Sequence, residues 1–412
     1  MSNSIQTPSA IASGVQSLPG AFGYGSLQFT RYLYIKDEVK LSILISLLKK
    51  NREALFWAYE FYYSGFSTEL WAYFWTIYYD FYASLNQHFK KFLFEKQQKW
   101  NINIANKNYE EADKIIAQII NNFHIRPWNT DVFLLRHFVQ PISLIEGEHL
   151  NPDISLLLEN MDYEQITHYI LHNSFGTEDI NKVAHYFCEE RKIITKNKAT
   201  IWKKQAQNAC KEQIISDIIH FYSLATPLKM GRPLYVVGKD ENISEYQTIY
   251  TDRKAKFYSY KILPAACKYT IDGEHLLGLF HLQRDSCPEL IKMYHYNWLY
   301  YAASTPIWAE RIQKFGGTIN NESKTIVFDN IENEEEFHDI YNLEPDEQPA
   351  EVQEKNIGCV KQDITYKIFE SKNGIYIPTP SAIAYGVQSL TGACGFGSLQ
   401  EEDHWSNKKV YY

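Results

Sequence analysis

The stretch KDEVKLSILISLLKKNREALFWAYEFYYSGF, residues 36–66, decides the fold class. Its first half sets apolar residues at 39, 41, 43, 44, 45, 47 and 48 between charged ends, which is helical spacing. Asn51 is placed to cap a second helix. Gly65 is placed to end it, because glycine enters the left-handed region without steric cost. Ser67 or Thr68 then caps a third helix, with Glu69 in its first turn. From Phe56 to Tyr82, 15 of 27 residues are aromatic, and they fall on every helical face. Helices apolar all round are enclosed by protein, so Phe56, Trp57, Trp71 and Trp75 are expected inside. Glu60, Glu69 and Asp80 interrupt this apolar field and need buried partners, for which tyrosine hydroxyls are the expected source.

Working outward, amphipathic helices are expected at about 86–104, 108–123, 129–139, 153–160, 162–173, 178–192 and 199–222. After Pro227 the texture changes. Short β-like runs occur at 233–238, 246–250 and 256–263, followed by helices at about 273–283 and 287–313, the last ended by Gly316-Gly317. TINNESKTIVF (318–328) reads as a hairpin, and DITYKIF (363–369) with GIYIP (374–378) as another. Between them, Glu332 to Glu354 holds ten acids and no Lys or Arg, and reads as solvated surface and linker. The expected fold is mainly α: an irregular array of helix pairs with a smaller α+β C-terminal part and flexible termini. The expected division is a flexible segment at 1–28, a helical domain at 29–225 and an α+β domain at 226–345. An acidic linker with a β-hairpin at 346–378 and a flexible segment at 379–412 complete it.

The chain has 412 residues, 45% apolar and 22% charged, a globular composition. Aromatic residues at 15% exclude an intrinsically disordered chain, and a net charge of −8 excludes a uniformly basic coat protein. The six cysteines are scattered without a CxxC pair, a reducing-compartment pattern. No secretory signal is read at the start. Charges interrupt the most apolar stretch, 54–82, so no membrane span is expected.

One segment occurs twice. TPSAIASGVQSLPGAFGYGSLQ (7–28) and TPSAIAYGVQSLTGACGFGSLQ (379–400) agree at 18 of 22 positions. Uncharged and rich in small residues, such a segment cannot bury enough surface to fold alone. It reads either as a copied tail or as a docking peptide displayed twice. Its glycines lack the preceding strand and following helix of a phosphate loop.

FTRYLYIKDEVKLSILISLLKKNREALFWAYEFYYSGF (29–66), with WLYYAASTPIWAERIQKFGG (298–317), resembles a group of uncharacterised proteins of the large nucleocytoplasmic DNA viruses. The resemblance spans roughly 29–317. It implies a viral protein of the host cytoplasm or the virion, and carries over no catalytic residue. ALFWAYEFYYSG is also similar to the helix pairs in the collar of clamp-loader and related AAA+ proteins, as a helical pair only. The ATPase half has no counterpart, because no GxxxxGK[ST] occurs.

Three groups of residues bear on chemistry. His168, His172, His185 and Cys188 pair at helical spacings. A tight hairpin of their helices would hold His172 and Cys188 about 13 Å apart, too far to share one ion. His338-Asp339 is a lone HD inside the acidic run and reads as surface. Arg191, Lys192, Lys196, Lys198, Lys203, Lys204 and Lys211, with Trp202 among them, form a basic stretch that could meet phosphates while the indole stacks on a base. The same pattern also describes a solvated helix face. Lys229, Arg232, Lys239, Arg253, Lys254 and Lys256 form a smaller group. No nucleophile elbow occurs, no cofactor is expected, and the chain leans away from enzymes. The expected function is a viral interaction or scaffold protein that contacts a protein partner. A nucleic-acid-binding accessory factor using 191–211 is the alternative.

Overall fold

In a computed structural model of the chain, the described residues are 28–138, 153–224, 278–280 and 290–341. They form a mainly helical protein with one two-stranded antiparallel sheet. Both copies of the repeat except Gln28, the β-like runs at 233–263, the 363–378 hairpin and the acids beyond Tyr341 lie outside the described residues, as does the expected boundary at 225/226. The described residues form two compact units. One comprises 28–73, 96–124, 278–280 and 290–341, the other 74–95, 125–138 and 153–224.

In the first unit, α1 (Lys36–Leu48) and α2 (Glu53–Tyr63) form the helix pair read from the sequence. Arg52, not Asn51, occupies the cap position of α2, without a side-chain capping bond. Gly65 ends α2 with φ +93°, and a Cβ there would lie 2.5 Å from Pro306 Cβ. Conformation and space both require glycine at this point. The first part of α3 (Ser67–Ile77) follows. Trp71 sits against Trp100 on α4 (Gln87–Ala105), with centroids 5.9 Å apart. Helix α5 (Tyr109–His124) buries Ala112, Ile115, Ile116, Ile119, Ile120 and Phe123, one stripe at three- and four-residue spacing.

The helix expected at 287–313 is two helices, α12 (Leu290–Ala302) and α13 (Pro306–Lys314). Pro306 has no N–H to continue α12, and it suits the first turn of α13. The hairpin of β1 (Thr318–Asn320) and β2 (Thr325–Val327) pairs Ile319 with Ile326, as the sequence suggested. The acidic run, expected as solvated surface and linker, begins as helix α14 (Ile331–Tyr341). Phe337 anchors it, fully buried among Phe29, Trp298, Trp308 and Phe315, while its acids stay on the surface.

In the second unit, α3 runs into a π turn, Tyr78–Tyr82, marked by the bond from Ala83 N to Tyr78 O at 2.7 Å. Then come α6 (Asp131–Phe138), α7 (Ile154–Glu159), α8 (Tyr163–His172) and α9 (Thr177–His185). Helix α9 passes into a second π turn, Tyr186–Glu190. The single helix expected at 199–222 is α10 (Lys196–Ala206) and α11 (Lys211–Ser223). The break lets Trp202 Nε1 donate to Asp217 Oδ2 at 3.0 Å. In one straight helix those residues would stand about 22 Å apart.

Trp71 is 2% exposed, whereas Trp75 is only half-buried against Tyr78 and Tyr79. Trp71→Ala is therefore expected to destabilise the protein by about 3–5 kcal/mol in urea unfolding, and Trp75→Ala by distinctly less. Equal losses at both positions would contradict this packing.

Candidate functional site

The predicted basic residues lie on the corner from α9 through the second π turn to α10, except Lys211, which begins α11. The π turn closes with Arg191 N on Tyr186 O at 2.9 Å, and Lys192 follows in the left-handed region at φ +53°. Thr195 then caps α10, its side chain accepting from Lys198 N at 3.3 Å. Ala199, Trp202 and Ala206 form the buried stripe of α10, which leaves Lys196, Thr200 and Lys204 on the outer face.

Trp202 corrects one expectation. Its ring is buried edge-on to Phe221 at 5.6 Å and its N–H is spent on Asp217, so it offers no face to a base. The lysines also divide. Lys196, 84% exposed, reaches Glu189 at 3.5 Å. Lys198 lies over the Phe221 ring at 5.8 Å, and Lys211 bonds to the Leu171 carbonyl. Arg191 is exposed, and its charge acts on Tyr163, Tyr186 and Tyr222. Lys192, Lys203 and Lys204 enter no hydrogen bond or ion pair among the described residues. The second basic group lies outside the described residues.

The histidines do not gather. His168 and His172 adjoin on α8 with ring centroids 4.5 Å apart. His185 instead approaches Glu190, Nε2 to Oε1 at 3.6 Å. Among the described residues no group of three or more His, Cys, Asp or Glu is arranged to hold a metal ion. His338 packs edgewise on Trp298 and Phe328, and Asp339 is exposed.

The acids of the aromatic helices, Glu60 and Asp80 buried and Glu69 partly exposed, are the feature that sequence reasoning placed without finding their partners. Glu60 takes the Arg31 guanidinium, Glu69 takes Lys36 and Lys40, and Asp80 takes Arg136, which also bonds Glu212. Cations rather than tyrosine hydroxyls therefore answer these three acids. Many hydroxyls go to backbone carbonyls instead: Tyr59 to Asp113, Tyr73 to Lys40, Tyr78 to Asn86 and Tyr222 to Leu158. Asp217 collects the Trp202 indole and the amides of Gln87 and Gln213. Burial raises its pKa, and the nearby Lys90 ammonium and these donors oppose the rise.

Burial also sets the other titrations. It pushes Asp80 up to about 6 against the pull of Arg136, and holds His124, His137 and His220 down to about 4. Asp131 opens α6 fully buried, and among the described residues only the Asn129 amide donates to it. Its carboxyl is pushed up to about 8 by desolvation. The arrangement that faces outward is the lysine-bearing corner.

No protein-family model, curated protein or solved structure matches the chain. No described helix is long and apolar enough to cross a membrane.

Because Asp131 keeps its proton in the folded state up to about pH 8 while the unfolded chain releases it near pH 4, its ionisation should destabilise the fold as pH rises between those values. Asp131→Asn should then be more stable than the parent at pH 8 by about 1 kcal/mol or more, with the advantage gone near pH 4. Parallel stability profiles for the two proteins would refute the assignment.

Proposed function

We propose that the chain is a non-enzymatic interaction protein of a large DNA virus. It displays surfaces and segments to protein partners in the host cytoplasm or the virion. The observation that carries this reading is the 22-residue segment present twice with 18 identities. A spacer needs no such agreement, since flexible linkers tolerate almost any polar sequence. Both copies keep Ile, Val and Leu at spacings of four and three: Ile11, Val15 and Leu18, and Ile383, Val387 and Leu390. Those residues would share one face if the segment became helical on a partner. Two linked copies raise avidity through effective concentration when the partner is multivalent. The use of Glu60, Asp80, Asp113 and Asp217 in internal bonds and ion pairs supports a structural role for the buried ionisable groups.

A second reading, an accessory factor that binds nucleic acid, is favoured by the exposed Arg191, Lys192 and Lys204 beside the half-buried Lys203. With Trp202 buried, such binding would run through phosphates and fall with salt.

The two readings part in one experiment. The full chain, chains lacking 7–28 or 379–400, and the double variant Lys203→Glu with Lys204→Glu are crosslinked in cells that express them. Partners are then recovered with and without nuclease. The first reading predicts a nuclease-resistant protein partner whose recovery falls on deleting either copy while thermal stability is kept. Recovery indifferent to both deletions would overturn it. Recovery lost to nuclease and to the lysine substitutions would establish the second.

A further inference from the structure

Helix α8 places His168 and His172 four residues apart, with ring centroids 4.5 Å from each other and planes inclined by 36°. One helical turn brings such residues onto one face, offset by about 40° around the axis. His168 is half-buried and His172 exposed, so solvent reaches the pair. Among the described residues neither imidazole enters a hydrogen bond or an ion pair. Several other described histidines are engaged or shielded: His185 faces Glu190, His220 Nδ1 lies 2.8 Å from the Ser84 carbonyl, and His124 and His137 are shielded by the fold.

Two neutral imidazoles one turn apart can direct one ring nitrogen each at a common cation, at the roughly 2.0–2.1 Å of a zinc–nitrogen bond. Imidazole donors suit zinc, copper and nickel, and not the oxygen-seeking magnesium or calcium. We propose that His168 and His172 form a two-ligand site for a divalent transition-metal cation of the zinc class, with water completing the coordination shell. The site is smaller than the four-residue set considered from sequence, since neither His185 nor Cys188 takes part. It requires the helix. An unfolded chain does not hold the two rings in register, so the cation binds the folded state preferentially and stabilises it.

The test is titration of the metal-free full chain with zinc(II), followed by calorimetry and thermal unfolding. It is run on the parent, on His168→Ala, on His172→Ala, and on His172→Asn combined with Asn173→His. The last variant keeps the number of imidazoles but moves the second onto Asn173, the extended residue just beyond the end of α8, out of helical register with His168. The parent should bind one zinc equivalent that raises Tm. Each variant should bind that equivalent at least about tenfold more weakly and lose the rise. If His168→Ala fails to fold, the two variants at the exposed position 172 decide alone. A parent that binds no zinc overturns the proposal, and so does an equivalent retained in the position-172 variants, which assigns the metal to other residues.

Discussion

A carboxylate sealed from water is costly unless every lone pair that matters finds a donor. Glu60 on α2 shows how the first unit meets that condition. Its side chain is 0% exposed and pairs at 2.8 Å with Arg31, itself 4% exposed. The second oxygen accepts from Tyr32 N at 3.0 Å, and Ser64 Oγ takes Arg31 N at 2.8 Å. The segment Phe29–Ile35 is buried along its whole length and turns through Leu33 at φ +62°. A buried irregular segment must satisfy its own backbone. Glu60 and Ser64 serve two N–H groups from one side. From the other, Thr305 Oγ1 donates to Phe29 O, Trp308 Nε1 to Thr30 O and Arg311 Nη1 to Arg31 O. Residues 29–35 thus join α2 to α13 although about 240 residues of chain lie between them.

The second unit solves the same problem differently. Asp217 gathers neutral donors from α4 and α10, while Arg136 bridges Asp80 on the π turn and Glu212 on α11. A π turn shifts the residues beyond it around the axis, so Asp80 and the aromatics on either side of it face different neighbours than an unbroken α3 would give them. The aromatic excess of the sequence is spent on this packing. Tyr78 meets Phe89, Phe81 stacks on Phe133, and Tyr163 stands edge-on to Tyr222.

The helices of 36–82 were legible because their signals are local: periodic apolar residues, a stop glycine and aromatics on every face. The hairpin at 318–327 was legible for the same reason. Features that depend on distant partners were not. Nothing near Glu60 in sequence names Arg31, and nothing near Trp202 names Asp217. Residues 199–222 read as one long helix because both pieces keep helical spacing, and the Trp202–Asp217 bond across the break is a tertiary feature. The acids of α14 masked a helix held by Phe337 and Tyr341, apolar anchors in a charged run. Among the basic residues, charge was legible and orientation was not. Lys198 and Lys211 contact the Phe221 ring and the Leu171 carbonyl, while Lys192 and Lys204 are exposed without such contacts among the described residues.

The dependence of the first unit on its buried ion pair is tested most directly by a double-mutant cycle. Urea unfolding of the parent, Glu60→Gln, Arg31→Met and the double variant gives the four stabilities. Each single change leaves a buried polar or charged group without its partner and should cost about 3–5 kcal/mol. The double change should cost less than the sum, with a coupling of at least about 1.5 kcal/mol. Small additive losses, with a coupling below about 0.5 kcal/mol, would show that residues 29–35 are held by something other than this pair.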